Sequence, residues 1–179
     1  MDLTFYSVFL GTVLSIISLT WLARREHEAG FAGTLSALGG KHDKALQQFR
    51  AILWVCGTLF TISVLFFIAP RLDSAFMFSV WLVTYICEVL LGVFPDHKGW
   101  QRLWHNIFAY GMALGFLVTA IFFCLRLSGG YQIASWAILA GMLVSVFTTV
   151  IDRKRFLYYE LSYIYLSHIG ICIAALSLR

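Results

Sequence analysis

Residues 74–125 read SAFMFSVWLVTYICEVLLGVFPDHKGWQRLWHNIFAYGMALGFLVTAIFFCL. Two apolar runs, 74–94 and 103–125, flank the polar turn PDHKGWQR. The hydrocarbon core of a bilayer is about 30 Å thick and takes roughly 20 apolar residues as helix. Each run meets that length, and neither alternates polar with apolar residues as a barrel strand would. Pro95 has no backbone N–H and cannot continue a helix. The stretch therefore predicts a helical hairpin across a membrane. It carries one carboxylate inside the first run, Glu88, and one imidazole at the start of the second, His105.

The same pattern extends in both directions. Further apolar runs occupy 3–23, 51–70, 131–151 and 156–178, and both prolines, Pro70 and Pro95, stand at run ends. Of 179 residues, 60% are hydrophobic and 12% charged, about half the charged fraction of soluble domains. The expectation is an all-α bundle of six transmembrane helices forming one integral membrane domain over 1–179, with residues 24–50 as its long loop. The start MDLTFYS lacks a positive n-region, and no A-x-A-like site follows the first run. That run reads as a retained helix rather than a signal peptide. Within 24–50, Phe31, Leu35 and Leu38 suit a short interfacial helix, a solvated loop being the open alternative, and Asp43 suits an early cap of the second helix.

Charge sets the expected orientation. Arg24, Arg25, Lys41, Lys44, Arg50, Lys98, Arg102, Arg153, Lys154 and Arg155 fall on one side, against Arg71, Arg126 and Arg179 on the other. Cytoplasmic loops carry the excess of Lys and Arg, so loops one, three and five are expected in the cytoplasm and both termini outside. The net charge of +4 is accounted for by topology and anionic lipid, with no nucleic-acid partner. Cys56, Cys87, Cys124 and Cys172 lie in different spans with no C-x-x-C pair, so they read as packing residues rather than a disulfide framework or zinc site. Gly111 and Gly115 form a G-x-x-x-G step that lets helices approach closely, within the chain or between chains of an oligomer.

Ionisable residues at membrane depth are costly and therefore candidate functional groups. At about 1.5 Å per residue, His105 lies about 3 Å inside its span, Glu160 about 6 Å, Glu88 about 9 Å and His168 about 18 Å. Asp96, His97 and Lys98 flank the same end, with Arg102 and Asn106. If the third, fourth and sixth helices adjoin, these groups converge on one polar cavity. The plain structural alternatives are a solvated turn for Asp96 and His97, pairing of Glu88 with Arg102 or His105, pairing of Glu160 with a loop arginine, and a hydrogen bond from His168 through Ser167 or a tyrosine. No lysine lies within a span as retinal would need. His105 and His168 differ too much in depth to hold a haem together. Asp96, His97 and His105 lack a helical metal-ligand spacing. No G-x-S-x-G, P-loop or dinucleotide fingerprint appears. No cofactor and no metal is expected.

GVFPD, the polar turn and HNIFAYG, with LSALG upstream (residues 35–39), resemble the prokaryotic membrane family of domain of unknown function 998. The matching positions are Ser36, Leu38, Gly39, Phe94, Pro95, Asp96, His105, Asn106 and Ala109. Ala37 stands where that family usually has an acidic residue. The family is similar to eukaryotic membrane proteins of the Frag/DRAM/Sfk type, several of which are implicated in lipid remodelling, lipid asymmetry or lipid-linked anchor processing. The resemblance implies a plasma-membrane protein of a prokaryote that handles lipid. The expected activity is binding of a lipid headgroup from the cytoplasmic leaflet, with His105 and Asn106 donating to an acyl or phosphate oxygen and Lys98 and Arg102 holding the phosphate. Three other readings stay open. One is an intramembrane lipid hydrolase or remodelling enzyme with His105 or Glu88 as general base. The others are a small proton-coupled transporter using Glu88 and His168, and an accessory subunit.

Overall fold

The computed structural model describes residues 3–28, 43–94, 99–152 and 155–179. Six helices follow one another: α1 Leu3–Glu28; α2, made of Asp43–Ser63, Val64–Ile68 and Ala69–Arg71; α3 Ala75–Val93; α4 Trp100–Arg126; α5 Gly129–Ile151; and α6 Phe156–Ser177. Each is long and apolar enough to cross a membrane, and no strand occurs among the described residues. The helices match the expected spans to within three residues at each end, except that α1 continues to Glu28 and α2 begins at Asp43.

Local chemistry sets the breaks. Val64–Ile68 is a π-helical turn, in which the Ala69 N–H donates to the Val64 carbonyl five residues back. It lies just before Pro70, whose missing N–H and ring disturb the ladder of the preceding turn. The helix ends one residue after Pro70, at Arg71. Asp73 then takes a left-handed conformation (φ +46°), which Asp tolerates better than most residues. Ser74 caps α3, its hydroxyl accepting from the Met77 N–H at 3.1 Å.

Chain neighbours pack side by side, and α6 closes the ring by packing on α1. α4 also touches α6, so α5 sits outside, against α4 and α6. The ring has two ends. The basic end carries Arg24, Arg25, Arg50, Arg102 and Arg155; the opposite, terminal end carries Arg71, Arg126 and Arg179. At the basic end Arg25 donates to Gln48 Oε1 at 2.7 Å, joining α1 to α2. At the terminal end Arg126 donates to the Leu72 carbonyl at 2.9 Å.

Large apolar side chains cover the outside. Leu10, Val13 and Ile17 on α1, Ile107, Leu114 and Leu125 on α4, and Val144 and Phe147 on α5 are exposed. Polar side chains turn inward instead: Ser15, Thr61, Thr84, Glu88, His105 and His168 are buried. A water-soluble protein does not expose apolar patches on that scale, whereas lipid tails solvate them. Trp21, Trp54, Trp100 and Trp104, all partly exposed near the basic end, suit the headgroup level.

Glycines set the tightest contact, between α3 and α4. A Cβ on Gly111 would stand 2.8 Å from Cys87 Sγ, and one on Gly115 would collide with Thr84. The G-x-x-x-G face is thus covered by α3 of the same chain. The four cysteines are free, and Cys172 Sγ lies 3.1 Å from Thr12 Oγ1, a hydrogen bond tying α6 to α1.

Candidate functional site

Two spaces lie side by side in the bundle. The inner one, of about 100 Å³, is walled by α1, α2, α3, α4 and α6. Glu88, Glu160 and His168 line it together, so the third and sixth helices do bring their ionisable groups to one cavity. The outer one is a groove of about 550 Å³ between α4 and α6, with α5 along its side. Arg102, His105, Asn106 and Glu160 line it. Glu160, Tyr163, Ala109 and Ala113 border both spaces.

Glu88 is 7% exposed. Helical side chains lean towards the N-terminus, so it points away from the basic end. Its carboxylate rests on Gly57 of α2, where any Cβ would collide with it. It forms no ion pair with Arg102 and no bond with His105, whose Nδ1 is engaged elsewhere. Trp81, Glu88 and Gly92 share one buried face of α3, while Tyr85, on the edge of that face, bonds Thr58 of α2 at 2.9 Å.

His105 is 2% exposed. Its Nδ1 lies 2.7 Å from the carbonyl oxygen of Phe94, the residue that ends α3. A carbonyl only accepts, so Nδ1–H is the donor. Nε2 is buried without a hydrogen-bond partner. This bond clasps the end of α3 to the start of α4. The Phe94 ring adds to the clasp, against Trp100, Trp104 and Phe108 at centroid distances of 6.0, 6.4 and 5.5 Å. His105 is therefore a hairpin clasp first, and its Nδ1 is not available to a phosphate oxygen. Asn106, the next residue, is exposed on the groove.

His168 departs from the expected hydrogen bond. Its ring stacks on Phe60 at 4.1 Å and meets Phe116 edge-on at 6.0 Å. Its Nδ1 is buried and unpartnered. It makes no bond with Ser167, whose hydroxyl donates to the Tyr163 carbonyl at 2.8 Å, as helical serines commonly do. Asp96, His97 and Lys98 lie outside the described residues, as do Ser36, Leu38, Gly39 and Pro95.

Tyr163 and Cys56 are among the lining residues that were not expected. Tyr163 donates to the Ala113 carbonyl at 2.6 Å, pinning α6 to α4 between the two spaces. Cys56 lines the inner cavity. The signal for Tyr163 was present, since Glu160, Tyr163, Ile164 and His168 follow the spacing i, i+3, i+4, i+8 of one helix face.

No protein-family model matches the chain, and searches of curated proteins and of solved structures give no match either. The six apolar helices, with buried polar groups inside and apolar side chains outside, define a multi-pass integral membrane protein.

Proposed function

We propose that this chain binds a phospholipid by its headgroup, from the cytoplasmic leaflet of a prokaryotic plasma membrane. The single observation that carries the reading is the polarity gradient along the outer groove. Arg102, Asn106, Thr149, Tyr159 and Glu160 line it towards the basic end, and Ala113, Leu114 and Leu117 line it further in. From Arg102 to Leu117 the groove follows α4 for about 22 Å, at 1.5 Å per residue. That length suits a headgroup followed by an acyl chain. Its volume falls within the range of about 300–1,000 Å³ usual for ligand sites.

In this reading Arg102 faces the phosphate, Asn106 donates to a phosphate or ester oxygen, and the alanines keep the groove open for the chain. The excess of Lys and Arg at the basic end supports the cytoplasmic placement, with both termini outside. The motif resemblance to the domain of unknown function 998 belongs to the same proposal, because Phe94, His105, Asn106 and Ala109 build the hairpin clasp and the groove wall.

Native mass spectrometry of detergent-purified protein tests it. The wild type should retain phospholipid adducts. Arg102→Ala combined with Asn106→Leu should lose most of them, since a hydrogen bond to a charged group contributes about 1.5–3 kcal/mol, or tenfold and more in affinity. An unchanged lipid complement in a folded double variant would refute the proposal.

A further inference from the structure

We infer that the inner cavity is a binding site for a small primary organic ammonium ion, separate from the lipid groove. Two independent observations on different helices carry this. Glu88, on α3, is 7% exposed and makes no hydrogen bond or ion pair to the described residues. His168, on α6, is 4% exposed and keeps Nδ1 without a partner. Both line the same cavity. A buried carboxylate is costly unless a positive group faces it, and among the described residues no lysine or arginine lines this space.

The walls select the kind of cation. They are mostly apolar and include the rings of Phe49, Phe116 and Tyr163. Aromatic faces attract organic cations. A hard metal ion instead needs about six oxygen ligands, and no three His, Cys, Asp or Glu side chains gather for a metal among the described residues. A primary ammonium has N–H donors for the Glu88 carboxylate, beside the rings of His168 and Phe116. A quaternary ammonium has none. At about 30 Å³ per water-sized group, the cavity holds roughly three or four non-hydrogen atoms. Gly57 is part of the site, because the carboxylate occupies the place of its missing Cβ.

The test is thermal unfolding of the full chain in detergent, with n-propylammonium, n-propanol and tetramethylammonium as probes at matched ionic strength. At several times its Kd, n-propylammonium should raise Tm by about 2–4 °C, while n-propanol and tetramethylammonium leave it unchanged. Glu88→Gln should abolish the rise. Should that variant not fold, Gly57→Ala serves, since its methyl displaces the carboxylate and should also remove the response. Arg102→Ala with Asn106→Leu should keep the amine response while losing lipid, so failure at one site is distinguishable from failure at the other. No rise with n-propylammonium at tens of millimolar, an equal rise with n-propanol, or a rise that survives Glu88→Gln would overturn the inference.

Discussion

Replacing Gly115 by isoleucine should lower the stability of the bundle by about 1–3 kcal/mol and Tm by several degrees. The position faces Thr84, and even a single added carbon collides with that side chain. Thr84 cannot swing aside cheaply, because its hydroxyl donates to the Val80 carbonyl at 2.8 Å and it is buried. A β-branched side chain therefore has to push α3 away from α4. In a membrane this contact rests on close van der Waals packing rather than on hydrophobic burial, so lost proximity is not recovered elsewhere. Gly130 is the control, with nothing within 4 Å of an added Cβ. Gly130→Ala should be neutral or slightly stabilising. Unfolding followed by circular dichroism in one detergent compares the two. Equal melting of Gly115→Ile and wild type would mean that α3 and α4 are not packed as described.

Trp81→Ala should cost about 3 kcal/mol, at the low end of aromatic truncations in cores. Trp81 is 1% exposed and sits among α2, α3 and α4, its ring 5.8 Å from that of Phe116. Its Nε1–H donates to Thr61 Oγ1 at 3.0 Å. Lipid solvates apolar atoms well, so the transfer contribution is smaller than in water and the cavity left behind dominates the loss. Trp81→Phe separates the two effects. It keeps most of the ring but leaves the buried Thr61 hydroxyl without its donor, at a cost of about 1 kcal/mol. Chemical or thermal unfolding in detergent should rank wild type above Trp81→Phe and both above Trp81→Ala. If the phenylalanine variant fell as far as the alanine variant, the hydrogen bond rather than packing would dominate.

The spans were legible because lipid imposes one demand along each run: a length of apolar residues with every backbone group bonded within the helix. Pro70 and Pro95 marked run ends for the same reason. The π turn at Val64–Ile68 was not legible, since Pro70 signals a disturbed ladder but not how the backbone absorbs it. Depth along a helix could be counted from residue number, which placed Glu88 and Glu160 near the basic end. Phase could be counted too, and it joins Glu160, Tyr163 and His168 on one face. What the residue order does not encode is which faces meet. The ring closure of α6 on α1, and the pairing of Glu88 with the glycine gap at Gly57, arise from packing among all six helices. His105 shows the cost of reading a polar residue by depth alone. Its position suggested a donor to ligand, but its Nδ1–H is taken by the Phe94 carbonyl, which ends the preceding helix of the same hairpin.

A phospholipid bound in the groove between α4 and α6 would be within reach of a crosslinker placed there. A photoreactive phenylalanine derivative installed at Leu114, which lines the groove, can be compared with one at Leu125, which is exposed elsewhere on α4. Illumination of membranes followed by mass spectrometry of the purified protein reads the covalent adducts. A phospholipid adduct should form at Leu114, exceed the one at Leu125 and fall when Arg102→Ala and Asn106→Leu are introduced. Equal labelling at the two positions, unaffected by those substitutions, would contradict binding in the groove.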